Sequence, residues 1–354
     1  MNLDDLDHFK KLDKSNMITE IDGLPDQLQN AWDLGRAQPL PELKDIRSIV
    51  IAGMGASAIG ADLVAAAVFS SLQIPIIVHR DYGLPAFAKR KDVLVICSSY
   101  SGNTEETLDS FDTALKNECG IVVISTGGEI AKRASARKIP VWKFEHKSQL
   151  GAAVGFSFGF PLALLARLNL IPDPSNALAE AVTAMKRSQQ HFRADVPTVK
   201  NPAKRYAGQL MGRWVTVVGA GLLAPVACRW KEQFNEVAKA GANFEYLPEA
   251  DHNTLAGTVN PHETLNAHTM TMFLRAPSDH PRNRLRSDLT REAFMLEGLN
   301  TDHADGRGTS QLAHMWTLVL FGDYMAYYLA MAYGVDPIPP STLANLKKSL
   351  TEKK

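Results

Sequence analysis

The residues best suited to chemistry lie in a hydroxyl-rich segment, residues 97–107, which reads CSSYSGNTEET and joins an apolar run to a helical pattern. Its small hydroxyl side chains are Ser98, Ser99, Ser101 and Thr104. Hydroxyls, main-chain amides and the positive end of a helix dipole can together surround a phosphate. Helix capping is the alternative, but a cap needs only one hydroxyl, here that of Thr104. The segment therefore predicts an anion site.

A glycine-rich turn precedes this segment: residues 53–60 read GMGASAIG where a strand pattern meets a helix pattern. Glycine lets a backbone approach a ligand, and a helix start offers free amides to an anion. The turn also fits a variant of the dinucleotide fingerprint, with Asp81 after the next strand. Small residues would equally allow a helix to pack closely on a strand. The turn alone leaves these interpretations open, but a dinucleotide enzyme has no use for the hydroxyl-rich segment, which favours phosphate.

Two further residues are candidates for moving protons. Glu236 lies on a predicted helix with Glu232 one turn away, and a carboxylate beside a sugar can act as a general base. The alternative is a solvated helix face on which Glu236 pairs with Lys239 and Glu232 with Arg229. His252 follows a predicted strand and could be an acid, a base or a metal ligand. The alternative interpretation of this residue is an ordinary polar loop. The other histidines are too scattered in the sequence to argue for a metal site.

Buried strands alternating with helices must position these residues. Apolar runs predict strands over 47–52, 74–79, 92–97, 120–125 and 139–144, and again over 214–218, 242–247 and 269–274. Helices are predicted over 56–69 and 105–116, from about 224, and as a long final helix over 310–333. This alternation predicts an α/β fold with a parallel sheet covered on both faces, whose ligands bind beyond the carboxyl ends of the strands.

The pattern divides the chain into four parts. We predict a helical lead-in over 1–44, a first subdomain over 45–170, a connecting helix and linker over 171–205, and a second subdomain with C-terminal helices over 206–354. The strand at 214–218 again runs into a Gly-x-Gly turn, which suggests two duplicated halves. The uncharged stretch 150–166 is too short for a membrane span, and the apolar stretch 315–335 carries Asp323, so both are predicted to be buried helices.

Charge and cysteine content exclude several classes of protein. Lys plus Arg and Asp plus Glu both number 38, so the basic excess of a nucleic-acid-binding protein is missing. The three cysteines lack CxxC spacing, which argues against a disulfide framework or a zinc site and favours a reducing compartment. The acidic N-terminal residues are unlike a signal peptide. We expect a cytoplasmic protein that binds neither nucleic acid nor a membrane.

Several segments resemble a known family. Residues 53–62, 99–108 and 125–128 are similar to the sugar isomerase (SIS) domain, and four later segments resemble the bifunctional phosphoglucose/phosphomannose isomerases within that superfamily. These four are Gly151–Phe156, Trp230–Glu236, Asp251–Asn253, and Gly322–Ala330 with Tyr333–Pro337. The resemblance covers about residues 45–350. The parts most specific to the family are the hydroxyl-rich segment and the last of these four segments. It implies two doubly wound SIS subdomains of the flavodoxin-like, three-layer α/β/α type.

The resemblance also implies a reaction and the roles of individual residues. The activity implied is the interconversion of glucose 6-phosphate, and of mannose 6-phosphate, with fructose 6-phosphate by a homodimer that needs no cofactor and no metal. Glu236 would carry the proton between C1 and C2 through a cis-enediolate. His252, reaching across from the partner subunit, would open the sugar ring. The phosphate-binding residues implied are Gly55, Ala56, Ser57, Ser99, Ser101 and Thr104.

Two positions depart from the family pattern. Leu150 and Gly151 stand where the family usually has Pro-Arg, whose Arg stabilises the enediolate. Thr309 stands where a Lys is often found, with Arg307 as a nearby cation. Losing an oxyanion stabiliser costs about a hundredfold or more in rate. The alternatives to the implied activity are therefore a sugar-phosphate binding or sensing protein with little catalysis, and an isomerase of a different sugar phosphate.

Overall fold

The computed structural model describes residues 2–43, 45–146, 152–338 and 341–352. The chain divides into two units: the first contains residues 24–182, and the second contains residues 1–23 and 183–354. The N-terminal lead-in is helical and contains α1 (Leu6–Leu12), α2 (Met17–Asp22) and α3 (Leu24–Ala37). Of these helices, α3 belongs to the first unit and the other two belong to the second. Among the described residues, none of the helices combines the length and the hydrophobicity that a membrane span needs.

The first unit is built on five parallel strands in the order β2-β1-β3-β4-β5. The strands are β1 (Ser48–Ala52), β2 (Ile76–His79), β3 (Val93–Ser98), β4 (Gly120–Ser125) and β5 (Val141–Lys143). The helices are α4 (Ala56–Val68), α5 (Glu105–Lys116), α6 (Gly128–Ala136) and α7 (Val154–Arg167). This is a doubly wound sheet, and it confirms the predicted fold class.

The apolar runs of the sequence form the centre of this sheet. Strands β1, β3 and β4 are buried along their whole length, as parallel strands covered on both faces must be. On one face, Val50, Val95 and Val123 form a core with Phe111 of α5 and Ile130 of α6. Right-handed crossovers place α4 on the opposite face, where it packs against α7. Helices cover both faces of the sheet, so a ligand binds at its carboxyl edge, as in other doubly wound sheets.

The second unit contains four parallel strands in the order β7-β6-β8-β9. Two helices precede them: α8 (Ser175–Gln189), which runs across the boundary between the units, and α9 (Pro202–Leu210). The strands are β6 (Trp214–Ala220), β7 (Ala242–Leu247), β8 (Thr269–Arg275) and β9 (Thr301–Asp305). The remaining helices are α10 (Ala224–Glu236), α11 (His262–His268), α12 (Pro281–Leu296), α13 (Gln311–Tyr333) and α14 (Ser341–Glu352). Short 3₁₀ turns occupy Gly221–Leu223, Glu249–His252 and Thr254–Thr258.

The second unit differs from the sequence-based expectation at several elements. Strand β9 and helices α9, α11 and α12 were not predicted. Residues 301–305 read TDHAD, and this edge strand is only partly buried, so it has no apolar run to reveal it. The long helix predicted over 310–333 is confirmed as α13, but it is not the final one, because α14 follows it.

Candidate active site

The carboxyl edge of the first sheet brings two helix starts together. Strands β1 and β3 are neighbours, and β2 lies beyond β1 while β4 lies beyond β3, so the winding reverses between them. Helix α4 begins directly after β1, and α5 follows the loop that leaves β3. Ligands of doubly wound sheets bind at such a reversal point. The positive ends of both helix dipoles lie at this edge, which suits an anion.

The hydroxyl-rich loop after β3 is held by its own hydrogen bonds. The Oγ of Ser99 accepts from the amide of Gly102 at 3.1 Å and lies 2.9 Å from the Oγ1 of Thr104. Thr104 occupies the N-cap position of α5, yet its side chain makes no capping hydrogen bond. The capping alternative is therefore wrong. The first amides of α5 are left without a side-chain acceptor from the cap, as an anion site requires.

A glycine at the centre of this loop allows it to pack on the loop that follows β4. Gly102 has a φ of +69°, and a Cβ there would lie 1.9 Å from the main-chain oxygen of Gly127. In the same contact, the amide of Ile130 donates to the carbonyl oxygen of Gly102 at 3.0 Å. The amide of Glu129 donates to Oδ1 of Asn103 at 3.0 Å. No residue with a Cβ fits position 102 without a shift of the backbone, so the hydroxyl arrangement depends on this glycine.

The predicted glycine-rich turn forms the other side of this edge. Gly55 has a φ of +51°, and a Cβ there would meet nothing within 4 Å, so the space beside it is open. Helix α4 begins at Ala56 without a side-chain cap. A Cβ at Gly53 would lie 3.2 Å from the Cβ of Ser57 and 2.8 Å from the carbonyl oxygen of Ser98. The buried Ser57 therefore stands close to the start of the hydroxyl-rich segment.

The structure thus places all six residues predicted to bind phosphate along one edge of one sheet. They are Gly55, Ala56, Ser57, Ser99, Ser101 and Thr104. Ser101 is exposed, and its Oγ accepts from the amide of Asn103 at 3.2 Å. None of the six carries a charge, so the donors available to an anion are amides, hydroxyls and the two helix dipoles. Gly102 is the position that the sequence analysis did not single out, although its place between Ser101 and Asn103 is typical of a tight turn.

Glu236 and His252 occupy opposite edges of the second sheet. Helix α10 begins after β6 and ends at Glu236, before β7, so Glu236 lies at the amino edge. His252 ends the 3₁₀ turn after β7, at the carboxyl edge. The 6 residues of β7 separate the two edges by about 20 Å at the usual rise of a strand. The two side chains therefore lie at opposite edges of the sheet.

The half-buried Glu236 belongs to a helix that is fixed by a buried ion pair. Arg229 is only 1% exposed and donates to both carboxylate oxygens of Asp323 on α13, at 3.2 and 2.9 Å. The solvated-face alternative is therefore wrong at Arg229. Lys239 donates to the main-chain oxygen of Asp336. The indole of Trp230 donates to the carbonyl oxygen of Leu318 at 2.8 Å, so two neighbouring residues bind α10 to α13 and set the position of its last residue.

Sequence reasoning noted Asp323 but missed its partner. The signal was present, because a carboxylate in the middle of an apolar helix must be paired or hydrogen-bonded when it is buried. The partner, Arg229, is 94 residues away along the chain, and no local pattern connects the two.

His252 is exposed, and the residue before it attaches its segment to α12. The carboxylate of Asp251 accepts from the guanidinium of Arg286 and from the hydroxyl of Thr290, each at 2.7 Å. These bonds hold the turn Glu249–His252 against the protein while the imidazole remains at the surface. The arrangement leaves His252 accessible to a second molecule.

The positions that depart from the family pattern are only partly described. Leu150 and Gly151 lie outside the described residues. Arg307 and Thr309 are exposed on the loop after β9, which is the carboxyl edge of the second sheet. Arg307 therefore shares an edge with His252 and lies at the opposite edge from Glu236.

Comparisons with known proteins identify a matching family and similar chains. Residues 199–350 match the family described as the bacterial phospho-glucose isomerase C-terminal SIS domain. A bifunctional phosphoglucose/phosphomannose isomerase from Caldicellulosiruptor bescii is 36% identical over 340 residues, 95% of this chain and 99% of that protein. One from Aquifex aeolicus is 32% identical over 310 residues, 87% of this chain and 92% of that protein.

A solved structure extends the similarity to the fold. A hypothetical protein from Thermus thermophilus matches with a TM-score of 0.73 at 15% identity, covering 96% of this chain and 90% of that one. At this identity the likeness concerns the fold alone. The two relatives, by their identity and coverage, establish more: this chain belongs to the family of bifunctional phosphoglucose/phosphomannose isomerases.

Proposed function

We propose that this chain interconverts glucose 6-phosphate with fructose 6-phosphate and also accepts mannose 6-phosphate. The observation that carries the proposal is the carboxyl edge of the first sheet, where two helix starts without side-chain caps meet a set of hydroxyls. A phosphate ester fits these donors. The names of the two relatives, which match nearly the whole chain, supply the sugar and the reaction.

The proposed reaction needs one base that serves two neighbouring carbons. Glu236, as a carboxylate, takes the proton from C2 of the open-chain aldose, and the electron pair forms the C1=C2 double bond and leaves O1 as an oxyanion. A proton passes from O2 to O1. The protonated Glu236 then delivers its proton to C1 while the carbonyl forms at C2. Glucose and mannose 6-phosphate differ only at C2, so both give the same enediolate.

The phosphate has a separate role in this proposal. It is carried on C6, away from the reacting carbons, so the energy of binding it is available to hold C1 and C2 in place. Ser57, Ser99, Ser101 and Thr104 are the hydroxyls proposed to contact it, with Gly55 and Ala56 lining the turn. The bonds within the hydroxyl-rich loop support this role, because they position the hydroxyls before a ligand arrives.

The Glu236→Gln variant tests the chemical step. We expect kcat to fall by about 10²–10⁴-fold with little change in KM, because the amide cannot accept the C2 proton. The assay couples product formation from each aldose phosphate to a dehydrogenase, and Glu232→Gln on the same helix is the matched control. The proposal fails if the wild type turns over neither aldose, or if Glu236→Gln is as active as the wild type. Binding of a hexose phosphate without exchange of its C2 proton into solvent would instead support a sensing protein.

We further propose that the active form is a homodimer in which His252 of one chain opens the ring of the sugar bound by the other. The support is geometric: Glu236 and His252 of one chain lie at opposite edges of the second sheet, and His252 is exposed. An imidazole can give a proton to the ring oxygen and take one from the C1 hydroxyl, which opens the ring.

Mixing two inactive variants tests the shared site. In a dimer formed from one Glu236→Gln chain and one His252→Ala chain, one site carries both changes and the other carries neither. Equal mixing with free exchange should therefore restore about a quarter of wild-type activity, since half of the dimers are mixed. If both residues acted within one chain, every site would carry a change and no activity would return.

We also infer a cytoplasmic location. The support is the state of the cysteines, which are unpaired: Cys97 is buried, and Cys119 and Cys228 are partly exposed. Burial raises the pKa of the Cys119 thiol to about 11, which keeps it protonated and slow to oxidise. Fractionation of cells that produce the protein tests the location.

A further inference from the structure

We propose that the outward face of α12 is a contact surface for a second copy of this chain, and that two copies of α12 pair antiparallel across a two-fold axis. The inference rests on the proposed function in one respect, since it names the surface through which His252 would reach the partner subunit. The surface itself is argued from the sequence and exposure of α12.

The outward face of α12 carries a stripe that we call the leucine seam. Its members follow one another at intervals of four, three and four residues: Leu285, Leu289, Glu292 and Leu296. The three leucines are 44%, 54% and 81% exposed, and Glu292 is exposed as well. Intervals that alternate between three and four place side chains on one stripe of a helix, the spacing that paired helices use. Exposed leucines on one such stripe form a patch that marks an interface rather than a solvated surface.

The charges beside the seam identify a second copy as the occupant. Arg282 lies three residues before Leu285 and so continues the same stripe. Neither Arg282 nor Glu292 forms an ion pair with any residue in the described ranges. In an antiparallel pair centred level with Ser287, equal steps in opposite directions bring Leu285 against the partner's Leu289. The same symmetry brings Arg282 against the partner's Glu292. Because a two-fold interface repeats each contact, the pair contains two apolar and two ionic matches.

The position of these charges within α12 supports the same pairing. Arg282 lies in the first turn, and Glu292 lies towards the other end, while the first turn has no acidic residue and the last turn has no basic one. Charges placed in this way oppose the dipole of their own helix. In an antiparallel pair, each Arg282 lies beside the negative half of the partner helix, so the placement becomes favourable.

The seam alone is too small for a stable dimer, and the surface next to it is that of His252. Helix α12 has 16 residues and is about 24 Å long, whereas a standard interface buries about 800 Å² on each partner. The adjoining segment is attached to α12 by the ion pair of Asp251 with Arg286. Val259, just beyond that segment, is 54% exposed. Extending the contact from the seam to this segment brings His252 into the interface.

Cross-linking tests the register of the pair. One chain carries Leu285→Cys and another carries Leu289→Cys, both in a background in which Cys119 and Cys228 are replaced by Ser. We expect mild oxidation of the mixture to give a covalent dimer, with little from either variant alone, because only the mixed pair brings the two thiols together. Covalent dimer from the Leu289→Cys chain alone would overturn the register centred on Ser287.

Charge reversal tests the surface independently. Arg282→Glu and Glu292→Arg should each raise the dissociation constant of the dimer at least about tenfold, since each places like charges together twice. The variant with both changes restores the opposite charges and should return the constant to near the wild-type value. Lys132→Glu, an exposed reversal on α6, is the matched control. Sedimentation equilibrium measures the four variants and the wild type.

Other outcomes would overturn the proposal. A monomeric wild type would do so, as would a dimer that resists both reversals but dissociates when the exposed Leu346 and Leu350 of α14 become Gln. The result is separable from that of the proposed function. If the reversals leave the dimer intact while Glu236→Gln is inactive, only the interface fails. If the paired reversals restore the dimer but the wild type has no isomerase activity, only the function fails.

Discussion

The two units contain the same strand–turn–helix element in two different states. In each sheet the second strand in the order, β1 or β6, runs through a glycine turn into a helix, α4 or α10. Helix α4 begins without a side-chain cap, beside the open space at Gly55. Helix α10 follows a 3₁₀ turn and has Pro225 in its first turn, and proline has no amide hydrogen to donate. A repeated Gly-x-Gly turn is therefore not enough for an anion site.

The loops that follow the third strand of each sheet, β3 and β8, also differ in whether they leave room for an anion. After β3, the loop offers uncharged hydroxyls and the start of α5. After β8, the third strand of the second sheet, the carboxylate of Asp279 accepts from the amide of Ala276 at 2.7 Å. The second loop thus uses an anion of its own chain where the first leaves room for a ligand. This topology therefore leaves a place for an anion only where no carboxylate of the loop accepts from the loop's own amides.

The largest expected effect concerns how the two equivalent helices are held. Helix α4 lies so close to α7 that a Cβ at Gly60 would be 2.4 Å from the Cβ of Ser157, whereas α10 depends on the pair of Arg229 with Asp323. Asp323→Asn should lower the free energy of unfolding by about 3–5 kcal/mol, because it leaves Arg229 buried without its counter-charge. Chemical denaturation measures the loss. The control replaces both residues, as Arg229→Met with Asp323→Leu, and should be much less damaging; equal losses would mean that the pair is not the cause.

The second prediction compares two glycines with positive φ, one from a loop of each unit. Gly102→Ala should raise KM for the sugar phosphates by about a hundredfold, because the added Cβ overlaps Gly127 and displaces the hydroxyls. Gly221→Ala has a similar φ of +49° but meets nothing within 4 Å. It should cost about 1 kcal/mol of stability and leave KM unchanged. A rise in KM for Gly221→Ala would show that the second turn also binds substrate.

A smaller effect is expected from single hydroxyls. Ser99→Ala removes the acceptor for the amide of Gly102 and the partner of Thr104, and should raise KM about tenfold with kcat less affected. Ser278→Ala is the matched change in the loop after β8, where the hydroxyl contacts His314 at 2.8 Å. It should leave KM as in the wild type. Steady-state kinetics on both aldose phosphates measure these KM values. Equal rises in KM for the two variants would mean that the two loops do not differ in binding substrate.

The parts of this molecule that could be predicted are those encoded locally. Buried parallel strands must be apolar throughout, so β1, β3, β4 and β6 were visible as runs, and the hydroxyls of the loop after β3 stand side by side in the chain. The parts that were missed depend on distant contacts. The pair of Arg229 with Asp323 spans 94 residues, and the need for glycine at Gly102 comes from its contact with the next loop.

The edges of the second sheet show the same limit. The order of strands and helices was enough to place Glu236 and His252 on either side of β7, and the strand predicted over 242–247 is confirmed with the same bounds. Strand β9 was missed because its edge position lets polar residues form it. The buried carboxylate of Asp279 in the loop after β8 was also missed, because its burial depends on how that loop folds and no local sequence pattern shows this.

Asp279 gives the smallest effect and tests the second loop directly. Burial raises the pKa of this carboxyl to about 6, although the amide of Ala276 and the charge of Arg284 oppose the shift. Its Oδ1 is buried and has no hydrogen-bond partner among the described residues. Since the unfolded pKa is about 3.9, the folded protein holds more protons between pH 4 and 6, and the stability that Asp279 contributes is lost as pH rises through this window. Asp279→Asn does not titrate. It should therefore raise the free energy of unfolding at pH 7 by about 1–2 kcal/mol, allowing for partial exposure, and the gain should vanish near pH 4. Denaturation at several pH values measures this difference. A gain that does not change with pH would mean that ionisation of Asp279 does not destabilise the folded protein.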